Sequence, residues 1–479
     1  MLDDLVKLSA VKLAALMRGR KVSPVEVVDA YLQRIEVVNS SLNAVVTLAP
    51  DVLERALEAE RVIMSGREVG ALCGVPITVK DTIETEWMRT TSGSRMRADF
   101  VPRADAPAVA RLKAAGAIVL CKTNVPEMAI PYECDNPVFG RTNNPHDLSR
   151  TSGGSSGGEA AAVSSCLSAV GLGSDLSGSI RVPAHFCGIG GLKPTPGRIA
   201  SAGHFPLATG AFSLGAVLGP MARYVEDLSL LLKVLTEADA PKSLSTKALG
   251  NADDERARLR GLRVAVYLDE SNAPVTSDTE RALQAVMGVL KSAGLTIVEE
   301  RPPGIARAIA LWPALFSRES TLQLRDLYAG QPEKAGRLVS SVLASGESAL
   351  PSAESTVAAW AERDALRSSL VEWMKETPLV ISPVGSVPAF EHGARKVQVG
   401  ERELSVFRAF GYARAANVLG LPAVSVPAGR SNDGLPIGVQ ITGGPFAEET
   451  VLAAASLVEE ALGGWVPPKD VTGDDRFRV

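Results

Sequence analysis

Residues 153–159 read GGSSGGE, and 24 positions beyond Ser155 a second turn of small residues, SGS at 177–179, ends on Ser179. Glycine lets backbone approach a reacting carbonyl and serine supplies a hydroxyl nucleophile, the combination that acyl transfer requires. Between the turns lies EAAAVSSCLSAV, helix-forming and small, with no charge after Glu159. A flexible linker stays solvated and seldom feeds a buried helix, so the linker reading fits poorly. A phosphate cradle fits no better: the lysine and hydroxyl of GxxxxGK[ST] are missing, and Glu159 brings negative charge into the first helical turn. The remaining reading joins the loop to GLGSDLSGSIRVPAHFCG, residues 171–188, where Asp175 and Arg181 bracket the second turn. One buried helix between the turns is enough to bring Ser155 and Ser179 together.

TSGGSSGGEAAAV followed by GSDLSGSIRVPAHFCGIGGLKPT resembles the signature of the amidase signature family. VPITVKD around Lys80, KTNVPEMA from Lys122, NPVFGRTNNPHDLSRT before the loop, and GLPAVSVPAG with GLPIGVQITGG near the end extend the resemblance over nearly the whole chain. The resemblance implies a Ser-Ser-Lys hydrolase of carboxamides, with Lys80 as base, Ser155 as a bridging serine on a cis peptide bond and Ser179 as nucleophile. It also implies an oxyanion hole from the backbone N–H row Leu176, Ser177, Gly178 and Ser179. Ser174 and Asp175 are then expected to brace the turn, and Arg181 to anchor it by an ion pair. Gly153 and Gly154 are expected to let the chain fold tightly around Ser155 and approach Lys80. Met128, Ala129 and the C-terminal blocks are the expected lining of the acyl pocket. One departure stands out: most members carry GGS where this chain has SGS. If position 177 needs positive φ, serine there costs on the order of 1 kcal/mol; otherwise its side chain narrows the pocket.

The chemistry is also arguable from the residue types. A serine hydroxyl is a weak nucleophile near neutral pH and needs a partner that takes its proton. Of the four histidines, His146, His185, His204 and His392, none stands in a setting such as GxSxG, and His185 reads as a satisfied core histidine. A lysine serves as base only when neutral, which desolvation can enforce. Most lysines at strand ends are solvated, so Lys80 has to be buried for this chemistry to work. Ser156 reads as an ordinary turn serine.

The elements that must position these groups are legible as pattern. SPVEVVDAYLQRI opens with Ser23 as cap, Pro24 at the first helical position and Glu26 to close a capping box. Val75–Val79 is a short β-branched run that ends at Lys80, while ADAPAVARLKAAG and AIVLCKT read as helix, glycine stop at Gly116 and strand. Such alternation predicts an α/β protein: a single large domain with a twisted, mixed and largely parallel β-sheet flanked by helices on both faces. The expected domain runs 1–479, with a signature core at about 70–200 and an elaboration at about 240–365.

Composition narrows the function classes. A net charge of −4 from 50 basic and 54 acidic residues offers no field for a phosphate backbone, so no nucleic acid is expected as a ligand. Cys73, Cys121, Cys134, Cys166 and Cys187 are odd in number and lack CxxC spacing, which points away from disulfides and zinc and toward a reducing cytoplasm. Asp3, Asp4 and Lys7 interrupt any export signal, and the charge-free stretch 199–222 is rich in glycine and reads as loop and short strand rather than a span. The partners expected are a small-molecule amide and, as an assembly, a homodimer; no cofactor or metal and no integral membrane association is expected. Two alternatives stay open: the amidase subunit of a tRNA-dependent amidotransferase, which usually has SIRQPA where this chain has SIRVPA with Val182, and a non-catalytic binding protein on the same scaffold.

Overall fold

The short apolar runs become strands of one eleven-stranded sheet in the computed structural model, which describes residues 2–236, 252–269, 272–345 and 350–469. In chain order they are β1 (Val45–Leu48), β2 (Pro76–Lys80), β3 (Ile118–Thr123), β4 (Val170–Asp175), β5 (Gly190–Lys193), β6 (Val217–Ala222), β7 (Arg263–Val266), β8 (Thr296–Val298), β9 (Leu379–Pro383), β10 (Ala423–Arg430) and β11 (Pro436–Gly443). Across the sheet the order is β1-β3-β2-β4-β6-β5-β10-β11-β9-β7-β8.

The helices that bear on function are α1 (Pro24–Leu42), α2 (Pro107–Ala114), α3 (Gly157–Ser164), α4 (Arg181–Cys187), α5 (Val225–Thr236), α6 (Ser277–Ser292), α7 (Ile305–Leu327) and α8 (Glu448–Leu462). Ser23 caps α1 as expected: its Oγ accepts from Val25 N at 3.0 Å, while the Glu26 carboxylate accepts the Ser23 N–H at 2.8 Å. The expected mixed sheet is present. Its parallel pairs lie in two blocks, β3-β2-β4 and β9-β7-β8, with α2 and α6 in the crossovers β2–β3 and β7–β8. The middle, from β4 to β9, is antiparallel, because connections such as the SNDGL turn at 431–435 between β10 and β11 are too short for a crossover.

Successive strand residues point to opposite faces, and β5 shows what covers each. A Cβ on Gly190 would lie 3.0 Å from Leu228 of α5, whereas one on Gly191 would lie 2.8 Å from Ile180, which leads into α4. Helices therefore cover both faces. The stretch at about 240–365 contributes β7 and β8 to the same sheet and sends α7 toward the Ser179 turn. Among the described residues no helix is long and apolar enough to cross a membrane.

Candidate active site

β2 lies between β3 and β4, and all five of its residues are buried, Lys80 included. The Lys80 amine sits 2.7 Å from Ser155 Oγ and 2.8 Å from Ser174 Oγ. Burial lowers its pKa to about 7, against the upward pull of Asp175 and, when ionised, Glu159. A solvated strand terminus would keep its proton to about 10.4; this one is poised to lose it near neutrality.

The loop 153–156 brings Ser155 to that amine, and the Gly154–Ser155 peptide bond is cis. A Cβ on Gly154 would sit 2.3 Å from the Pro131 carbonyl oxygen, and one on Gly158 2.4 Å from both N and O of Asn124. The glycines thus let this segment press directly on neighbouring backbone, which carries Ser155 to Lys80 indirectly. Ser156 does more than turn the chain. Its N–H donates to the Ser179 carbonyl at 3.0 Å, and its hydroxyl meets the backbone of Ser174 at 3.3 Å. These bonds tie the two serine turns together. One helical turn later Glu159 is fully buried, accepting from Thr78 and from Thr123 Oγ1 at 2.7 Å, and burial pushes its pKa up to about 7.

The turn 175–180 is wound around one carboxylate. Asp175 accepts from Gly178 N at 2.7 Å, Ile180 N at 3.0 Å and the Arg181 guanidinium at 3.1 Å. Although burial alone would raise the Asp175 pKa, Arg181 holds it well below the usual carboxylate range. Arg181 is itself completely buried and donates onward to Asn417 Oδ1 at 2.7 Å and Gln440 Oε1 at 2.8 Å. Outside the turn, Trp312 donates to the Leu176 carbonyl at 3.0 Å and Tyr132 to the Ser177 carbonyl at 2.6 Å. The N–H groups of Leu176, Ser177 and Ser179 meet no acceptor among the described residues. Within the expected row, Gly178 therefore bends the chain, at φ +103°, while its own N–H faces Asp175. Ser177 is not in the left-handed region, so its replacement of glycine carries no backbone strain.

One cavity collects the two serines. Ser155 and Ser179 line it together with Ser174, Leu176, Ser177, Met128 and Ala129. The C-terminal blocks do not reach it. β10 and β11 stand behind the Ser179 turn, where Gln440 holds Arg181, and the wall expected of them is built by Leu207, Phe212, Leu218 and by Trp312, Gln323 and Leu324 of α7. These residues carry no mark in the sequence, because nothing in α7 or in the charge-free stretch 199–222 resembles the signature blocks.

His204 carries no such mark either. The His204 ring places Nε2 2.9 Å from Ser174 Oγ and Nδ1 2.7 Å from the Pro206 carbonyl, and burial followed by the nearby Lys80 lowers its pKa to about 4. Ser174 accordingly holds Lys80 and His204, while bracing of the turn falls to Asp175. His185 sits where a core histidine should, accepting from Gly438 N at 2.6 Å with its other ring nitrogen 3.0 Å from the Val387 carbonyl. Among the described residues no cluster of His, Cys, Asp and Glu is arranged to hold a metal ion.

The chain is similar to known proteins along nearly its whole length. A family model described as Amidase matches residues 26–452. The chain is 33% identical to a glutamyl-tRNA(Gln) amidotransferase subunit from Bdellovibrio bacteriovorus, over 96% of this chain and 98% of that one. It is 31% identical to human fatty-acid amide hydrolase 2, over 97% of this chain and 91% of the relative. The crystal structure of a bacterial aryl acylamidase of the amidase signature enzymes is 26% identical and superposes with a TM-score of 0.83, covering 95% of this chain and 96% of that one.

Proposed function

This chain belongs to the amidase signature family, whose members hydrolyse amide C–N bonds, and on that footing we propose that it is a free-standing amidase for small carboxamides with an apolar acyl group, working through an acyl-enzyme on Ser179. The observation that carries this reading is the buried Lys80 amine, 2.7 Å from Ser155 Oγ and poised at about 7, behind a cavity that Ser155 and Ser179 both line.

Neutral Lys80 takes the Ser155 proton as Ser155 takes the proton of Ser179, and Ser179 Oγ bonds to the amide carbon. The free N–H groups of Leu176, Ser177 and Ser179 receive the developing oxyanion; donors of this kind are worth about 3 to 4 kcal/mol each. As the C–N bond breaks, the relay runs backward and the leaving nitrogen receives the proton. Water then adds to the acyl carbon, giving its proton to the same relay, and the carboxylate departs with Ser179 restored.

The cavity supports an apolar acyl group. Its walls include Met128, Ile130, Leu207, Phe212, Trp312 and Leu324, and among the described residues the one fully charged side chain lining it, Asp175, is already engaged by Arg181 and Asn417. Free glutamine, the ammonia donor of the amidotransferase alternative, brings an ammonium and a carboxylate to which this lining offers no free counter-charge. Val182 in place of that subunit's usual glutamine agrees. The five cysteines, all free and buried, fit a reducing compartment.

Covalent labelling by a fluorophosphonate, together with a hydrolysis screen over amides of graded acyl length, tests the reading. Wild type is expected to label at Ser179, Ser179→Ala to stay unlabelled, and apolar acyl amides to be cleaved while glutamine is left intact. Preferential hydrolysis of glutamine would return the assignment to the amidotransferase alternative. Folded wild type that neither labels nor cleaves would leave a binding protein on this scaffold.

A further inference from the structure

Three hydrogen bonds run in series at the back of the cavity: Lys80 Nζ to Ser174 Oγ at 2.8 Å, Ser174 Oγ to His204 Nε2 at 2.9 Å, and His204 Nδ1 to the Pro206 carbonyl at 2.7 Å. Their polarity follows from the last one. A carbonyl only accepts, so Nδ1 carries the imidazole proton and Nε2 of the neutral ring presents a lone pair. The Ser174 hydroxyl must then give its single proton to His204, and toward Lys80 its oxygen accepts. A neutral amine has two N–H donors and one lone pair. With one N–H spent on Ser174, the lone pair is left for the hydroxyl of Ser155, 2.7 Å away.

We propose that His204 is a positioning residue for the proton relay: by fixing the direction of the Ser174 hydroxyl it reserves the Lys80 lone pair for Ser155. Without an acceptor at position 204, the Ser174 proton is free to turn onto the amine and occupy the electron pair that the relay needs. The backbone around His204 holds the ring in place, since Phe205 N donates to the Thr82 carbonyl at 2.8 Å and residue 204 bridges to Ile83, three residues beyond Lys80. This inference rests on the relay assigned to Lys80, Ser155 and Ser179 above.

The test compares His204→Phe, which keeps a ring and removes the acceptor, with His204→Gln, whose amide oxygen can stand where Nε2 stood, each in wild-type and Ser174→Ala backgrounds. The readouts are kcat and KM on an apolar acyl amide, the rate of fluorophosphonate labelling of Ser179, and the thermal midpoint. His204→Phe is expected to lower kcat and the labelling rate on the order of 10- to 100-fold with KM changed far less. His204→Gln should recover most of that loss, and His204→Phe should cost nothing further once Ser174 is alanine. Equal kcat for the Phe and Gln variants, or a full additional loss from His204→Phe in the Ser174→Ala background, overturns the proposal while leaving the relay standing. Wild type that fails to label at Ser179 removes the relay itself, and the two failures are thereby told apart.

Discussion

Burial sets the proton affinity of Lys80 near neutrality while Asp175 and, when ionised, Glu159 pull it upward and His204 faces it uncharged. The amine works only when deprotonated, so kcat/KM is expected to climb as pH rises through about 7 and then level off; a profile flat from pH 6 to 9 with chemistry rate-limiting would count against a lysine base. Glu159→Gln removes one upward pull and should move this limb to lower pH, and Lys80→Ala should lower kcat by about 100- to 10,000-fold. Lys80 and Ser155 could be singled out in the chain because the blocks that hold them, VPITVKD and TSGGSSGGE, resemble the family signature. His204 could not. Its role comes from two neighbours, Ser174 and Pro206, of which one lies 30 positions away, and no local spacing marks that meeting.

Among the elements, the turn 175–180 makes the sharpest distinction between neighbouring positions. Ser177 has an ordinary backbone, so Ser177→Gly is expected to change stability by no more than about 0.5 kcal/mol in chemical denaturation. Gly178 combines φ +103° with a would-be Cβ 2.6 Å from that of Ala413, so Gly178→Ala should cost about 1–3 kcal/mol and reduce labelling of Ser179. Equal behaviour of the two variants would show that the turn is not held as described. Element identity was largely legible: the Ser23 capping box, the strand ending at Lys80 and the stop at Gly116 follow from chemistry within a few residues. The antiparallel middle of the sheet and the wall supplied by α7 were not, because strand pairing and helix placement depend on residues far apart in sequence.

At the scale of the whole molecule, the ion pair Arg181–Asp175 is one of the joints between the two halves of the chain, since the same guanidinium reaches Asn417 and Gln440. Arg181→Met strands a carboxylate in the interior and is expected to destabilise the fold by about 3–5 kcal/mol in urea unfolding; a loss below about 1 kcal/mol would mean that Asp175 finds water or another partner. Because the folded state depresses the Asp175 pKa, the stability it contributes is present above the ordinary aspartate range and fades as pH falls below it. The ion pair was expected from the sequence, whereas Asn417 and Gln440 were hidden behind more than 200 positions of intervening chain. That separation has a temporal side. Gln440 leaves the ribosome 259 residues after Arg181, which at about 5–20 residues per second is roughly 13 to 50 s. For that interval a nascent chain carries both serine turns without the two amides that fix Arg181, so full activity is expected to wait for the last strands to be synthesised.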